Sequence, residues 1–142
     1  MSNNIMSYLK NDRFAAYVGI KLVEVKPGYA KAIIEITDKH LNAVNIVQGG
    51  VIFTLADFTF AAASNSYGQV SLGINANISY FQPPKGKILI AEAIEISANK
   101  KIACYNVDIC GQDQDLIARF TGMAYRKKDK LNLDLMDSQT EK

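Results

Sequence analysis

Asp57 is the residue of this sequence best placed to do chemistry. It interrupts the run Val51-Ile52-Phe53-Thr54-Leu55-Ala56-Asp57-Phe58-Thr59-Phe60-Ala61-Ala62-Ala63, which is otherwise apolar apart from two threonines. A carboxylate among apolar neighbours is costly unless paired or neutralised, and its pKa is open to shift. Such a group can serve as a catalytic base or nucleophile, although structural carboxylates bonded to backbone groups share the same surroundings. Gly49-Gly50 opens the run. Paired glycines also serve plain turns and close packing. At the start of a buried helix they leave backbone N–H groups open to approach, at the positive end of the helix dipole, and can hold an oxyanion.

The remaining titratable residues narrow the chemistry further. The chain has one histidine, His40, and two cysteines, Cys104 and Cys110, so no zinc-type ligand cluster can be assembled and metal-free chemistry is expected. A Ser-His-Asp or Cys-His mechanism would have to use His40. It lies in a polar loop with no adjacent Ser or Cys, so a solvated histidine is expected there. The cysteines are six apart and fall on one face of a strand, where they read as small buried hydrophobes rather than a disulfide. Lys+Arg 16 against Asp+Glu 14 is too balanced for a nucleic-acid-binding face. Arg126-Lys127-Lys128 with Lys130 reads as a solvated end. No signal peptide is visible, and Val51 to Ala63 falls short of the roughly 20 residues a membrane span needs. A soluble cytoplasmic protein without a membrane partner is expected.

These residues need elements to position them. Ile5 to Val18 reads as a loose amphipathic helix broken by Gly19. Ile20 to Lys26 and Tyr29 to Thr37 read as strands around the turn Pro27-Gly28, the second with Ala30, Ala32, Ile34 and Ile36 on one face. Thr37 to Gln48 reads as a connecting loop. The run from Gly49-Gly50 reads as one helix ending near Tyr67-Gly68, buried on most sides because it is apolar nearly all round. Four strands follow: Val70 to Phe81, Lys87 to Ser97, Ile102 to Cys110 and Leu116 to Arg126. In Lys87 to Ser97 both faces are apolar, with Leu89, Ala91 and Ala93 on one and Ile88, Ile90, Ile94 and Ile96 on the other. An oligomer interface is the simple cover for the isoleucines. The pattern is a single α+β domain over 1–142, an antiparallel sheet curled around one central helix, with a frayed tail from Lys127 onward.

Helix geometry then makes a demand. Gly50 and Asp57 lie on one face but about 10 Å apart along the axis. A carbonyl held by the Gly50 amide sits roughly 3 Å from its donor, beyond the reach of Asp57 in the same helix. If both groups act on one carbonyl, the aspartate comes from a second copy, and the site is shared across a homodimer.

The residues also carry a resemblance. Asn42, Gln48-Gly49-Gly50, Phe53-Thr54-Leu55-Ala56-Asp57 and Ala61 to Gly68 resemble the hotdog-fold acyl-CoA thioesterases of the phenylacetyl-CoA thioesterase type. Asn11-Asp12 with Gly19 resembles the family's N-terminal segment, and Phe81-Gln82-Pro83 its strand before a proline turn. The similarity covers about residues 11–126. It implies a sheet wrapped around the central helix, dimers and often tetramers, and hydrolysis of acyl-CoA thioesters. Coenzyme A enters as part of the substrate, with no separate cofactor.

By the resemblance, Asp57 is the nucleophile or the base that activates water, and the amide at Gly49 or Gly50 of the partner chain stabilises the oxyanion. Asn42 orients the thioester or the water, Asn11 lies near the site, and Lys100 and Arg126 are candidates for the CoA phosphates. Tyr80, with Phe81, is a candidate for lining an acyl pocket. Gln48 departs from the family, which usually carries His there; Gln donates and accepts hydrogen bonds but does not titrate. Where some relatives use a Ser or Thr to position water, the corresponding position here is Gly73, with Ser71 and Ser79 nearby. Two other functions stay open at this point. One is a non-catalytic hotdog module that binds acyl-CoA as a sensor or scaffold, which Gln48 favours. The other is a hydratase, which would need His40 beside the aspartate.

Overall fold

Alternation of small apolar with polar residues gives six strands, and in the computed structural model they form one antiparallel sheet in the order β1-β2-β4-β5-β6-β3. The structure describes residues 3–133. The strands are β1 (Ile20–Lys26), β2 (Tyr29–Glu35), β3 (Gln69–Tyr80), β4 (Ile88–Ala98), β5 (Ile102–Gly111) and β6 (Leu116–Lys130). The sheet curls around α3 (Gly49–Ser64), and α1 (Asn3–Leu9) and α2 (Arg13–Val18) precede β1. Ala30, Ala32, Ala91, Ala93 and Ala124 form a floor of fully buried small side chains. On that floor α3 packs Leu55, Ala56, Phe60, Ala62 and Ala63. Phe60 packs tilted against Phe120 and edge-to-face against Tyr105, with ring centroids 5.6 and 5.7 Å away, and lies over Gly73 and Gly122. The antiparallel sheet around one helix is the expected α+β architecture.

Several boundaries differ from the sequence reading, each for a local reason. The helix expected over Ile5 to Val18 is two helices, because Asp12 caps α2 by accepting from the Ala15 N–H at 2.9 Å. Gly19, at φ 100°, ends α2 in the left-handed region. α3 stops at Ser64 rather than near Tyr67-Gly68. The Asn65 N–H and Nδ2 both donate to the Ala61 carbonyl, and the Ser66 hydroxyl donates to that of Ala63. β6 runs to Lys130, so the fraying expected from Lys127 does not start there: Lys130 pairs with Gln69, and the Leu131 N–H donates to the Gly68 carbonyl at 2.8 Å. The last part of that tail, 134–142, lies outside the described residues.

β4 divides as its alternation requires. Leu89, Ala91 and Ala93 face the helix, while Ile94 and Ile96 are exposed on the outer face. The cysteines correct the expectation of burial. β5 turns Ala103, Tyr105, Val107 and Ile109 inward, so Cys104 and Cys110 point outward together, half-buried and free. Among the described residues no helix is long and apolar enough to cross a membrane.

Candidate active site

Most of α3 is buried, and its most open stripe runs through Gly50, Thr54, Asp57 and Ala61, which are exposed or half-exposed. Asp57 therefore opens to the surface of a single chain instead of lying within an enclosed cleft. Among the described residues its carboxylate accepts no hydrogen bond and forms no ion pair. The surrounding protein removes part of its hydration and raises its pKa above the ordinary carboxylate value, and the charge of Asp12 raises it further. Raised in this way, the group holds a proton more readily than a surface aspartate, as a base must.

The N-terminus of α3 is built from Gln48-Gly49-Gly50. Gln48 is the N-cap, and its Oε1 accepts from the Gly50 N–H at 2.7 Å. A side chain on Gly50 would collide with that oxygen. The Gly50 amide, one of the two expected oxyanion donors, is thus already engaged. The Gly49 N–H has no partner among the described residues. With Oε1 committed, the hydrogen-bonding end of Gln48 left to a ligand is its NH2. Two side chains hold this turn from outside: the Tyr80 hydroxyl donates to the Gly49 carbonyl at 3.0 Å, and the Thr54 hydroxyl to that of Gly50 at 2.7 Å. Tyr80 so braces the Gly49 peptide from the end of β3.

His40 fixes the loop that delivers these groups. It is 3% exposed, which corrects the expectation of a solvated side chain. Its Nδ1 accepts from the Thr37 N–H at 2.9 Å and its Nε2 donates to the Val18 carbonyl at 2.6 Å. Both ring nitrogens are consumed by backbone, so His40 is a staple and supplies no acid–base partner to Asp57. Its own carbonyl accepts from the Gln48 N–H at 2.9 Å, and a bridge joins Leu41 to Val47. Asn42, at the exposed bend between them, accepts at Oδ1 from the Val44 and Ile46 N–H groups at 3.0 and 3.1 Å. Its carboxamide, like that of Gln48, is left with the NH2 outward.

The other expected residues are distributed over the chain. Asn11 lines a cleft with Tyr8 and with Phe58, the residue after Asp57. Lys100 is exposed in the β4–β5 turn. Arg126 is tied to the Asn99 carbonyl and the Gln69 Oε1, both at 3.1 Å, with Tyr67 beneath its guanidinium. Within one chain these cations sit near the C-terminal end of α3, opposite Gly49 and Asn42. Gly73 faces the Phe60 ring and Ser79 is exposed. Ser71 is buried, its hydroxyl without a hydrogen-bond partner among the described residues, while Asn65 binds its backbone. Sequence reasoning missed Asp12 as the charge acting on Asp57 and Thr54 as a brace. The Asn11-Asp12 pair before a helix was the available signal for the first.

A family model described as Thioesterase superfamily matches residues 44–118. A protein of Archaeoglobus fulgidus is 38% identical over 128 residues, covering 89% of this chain and 83% of that one. Acyl-coenzyme A thioesterase PaaI of Escherichia coli is 31% identical over 124 residues, covering 87% and 89%. The solved structure of the E. coli PaaI protein superposes with a TM-score of 0.84 at 29% identity, covering 89% of this chain and 93% of that one. This chain belongs to the thioesterase superfamily, among the hotdog-fold acyl-CoA thioesterases of the PaaI type.

Proposed function

We propose that this protein hydrolyses acyl-CoA thioesters with a small aromatic or medium-chain acyl group, at a site completed by a second copy of the chain. The observation that carries this reading is the division of labour along α3. Among the described residues the Gly49 amide is unpartnered at one end, an unpaired carboxylate of raised pKa stands at Asp57, and eight residues, about 12 Å, separate them. One thioester cannot meet both within one helix. It meets both when Gly49 of the partner subunit faces Asp57.

The edge strand β3 offers the place to join. It is a long edge with Leu72 51% and Ile74 54% exposed, a surface expected to pair with another chain. Antiparallel pairing of two such edges sets the Gln69 end of one beside the Tyr80 end of the other. Lys100 and Arg126 of one chain then approach the Gly49 end of its partner, where the CoA phosphates are to be held. The outer isoleucines of β4 give such dimers a face on which to pair again into a tetramer, working in the cytoplasm.

In the reaction the partner subunit's Gly49 N–H binds the thioester carbonyl oxygen as it becomes an oxyanion, with the Gln48 and Asn42 NH2 groups beside it. As a base, Asp57 takes a proton from water as its oxygen bonds to the carbonyl carbon; the C–S bond then breaks and the proton passes to the CoA thiolate. As a nucleophile, Asp57 attacks the carbon itself, expels the thiolate, and leaves an anhydride for water to cleave. Either route needs an unprotonated Asp57. Thiol release from aryl-, short-, medium- and long-chain acyl-CoA is the test, with Asp57→Asn as control. We expect wild-type turnover, lowered by about 100- to 10,000-fold in the variant. Binding without turnover in the wild type would replace the enzyme by an acyl-CoA-binding module.

A further inference from the structure

Two clefts lie on the side of the N-terminal helices, and both are lined by Phe58, the residue after Asp57. The nearer, of about 360 Å³, lies between the α1–α2 segment (Tyr8, Leu9, Asn11) and the α3 residues Phe58, Ala61 and Ala62. The farther, of about 300 Å³, lies between α2 and β1, with Ala15, Ala16, Ile20 and Leu22 on its walls. Asp12 and Phe58 line both, so the buried Phe58 ring is the partition between them. The nearer cleft reaches α3 at residues next to Asp57, which does not itself line it: Ala61 is one turn beyond Asp57 on the open stripe, and Phe58 follows Asp57 directly.

We infer that the acyl group of the substrate lies in the nearer cleft and that Phe58 sets the length it accepts. This rests on the thioesterase reading and adds the determinant of its acyl specificity. The thioester carbon stops at Asp57, the CoA portion extends toward the partner's Gly49 end, and the acyl portion extends the other way along α3. Ala61 and Ala62 leave room on the helix surface that any larger residue would fill. The cleft is at the small end of ligand-binding sites, which suits one ring or a chain of modest length. The Asp12 carboxylate in its wall disfavours acyl groups that end in an anion. Beyond Phe58 lies the farther cleft, apolar on Ala15, Ala16, Ile20 and Leu22 with Lys10 and Lys21 also on its wall, which the wild-type substrate does not reach.

The experiment is thiol release over a homologous series of straight-chain acyl-CoA substrates. It compares wild type, Phe58→Ala, Ala16→Leu and the double variant. Removing the ring joins the clefts, so Phe58→Ala is expected to raise the kcat/KM ratio of longer to shorter chains by at least about tenfold, mostly through KM. Ala16 lines only the farther cleft; Ala16→Leu alone leaves the profile unchanged, and in the double variant it takes the gain away. Phe58→Leu, which keeps a packed side chain, shifts the profile the same way by less and serves if Phe58→Ala does not fold. A folded Phe58 variant that loses rate equally on every chain length overturns the assignment while leaving the thioesterase reading intact. A wild type that hydrolyses no acyl-CoA overturns both.

Discussion

At the scale of single residues, the site depends on which hydrogen-bonding atoms are already spent. Gln48 and Asn42 each give their amide oxygen to backbone N–H groups, so each keeps only donors for a ligand. A glutamine N-cap presents those donors at every working pH, which a titrating histidine cannot do. On the proposed mechanism the pH dependence of the enzyme falls to Asp57, whose pKa is raised by burial and by Asp12. Asp12→Asn isolates the second cause, because asparagine is as good an N-cap as aspartate and keeps α2 in place. With the like charge gone, ionised Asp57 is less disfavoured and its pKa falls. The acid limb of kcat/KM should therefore move to lower pH, with the plateau above neutrality little changed. An acid limb that stays in place would remove Asp12 from the electrostatics of the site.

At the scale of elements, close approach of α3 to the sheet depends on small residues under large ones. A Cβ at Gly122 would stand 2.8 Å from the Phe60 ring and 2.9 Å from that of Phe120, both packed in the core. Neither ring can swing away, so Gly122→Ala should destabilise the fold by about 1–3 kcal/mol through overpacking. Denaturant unfolding measures this, and an unchanged midpoint would mean that the helix shifts freely over the sheet. Much of this layer was legible in the sequence. Strand periodicity located all six strands, and the apolar run after Gly49-Gly50 located the helix. What was not legible came from side chains that bond to backbone at a distance. His40 looked solvated among polar neighbours, yet Thr37 and Val18 take both its nitrogens. The start of α2 turned on one cap at Asp12, and the inward or outward fate of Cys104 turned on the register of β5. Asp57 and the glycine pair were legible because a charge in an apolar run and paired glycines break local pattern. That the Gly50 amide is spent on Gln48 depends on the side-chain conformation of Gln48, which no local pattern carries.

At the scale of the whole molecule, the proposed site draws on two chains. Two variants separate the halves. Asp57→Asn removes the carboxylate proposed to react and leaves Gly49 intact. Gly49→Pro removes the donor N–H and leaves Asp57 intact, at a position where proline is well suited. Gly49 is the first residue of α3, where a missing N–H costs the helix nothing. Gln48 before it is extended, at φ −65° and ψ 133°, as the residue preceding a proline should be. A Cβ there meets the Tyr80 ring no closer than 3.4 Å, an ordinary contact. Each variant alone should form inactive dimers. Unfolded together and refolded as a mixture, half of the dimers combine one chain of each kind. In such a dimer one site joins Gly49 to Asp57 and the other joins proline to asparagine, so about a quarter of wild-type activity should return. A site held within one chain would give back nothing on mixing, and size-exclusion chromatography of the same samples shows whether the mixed dimers formed.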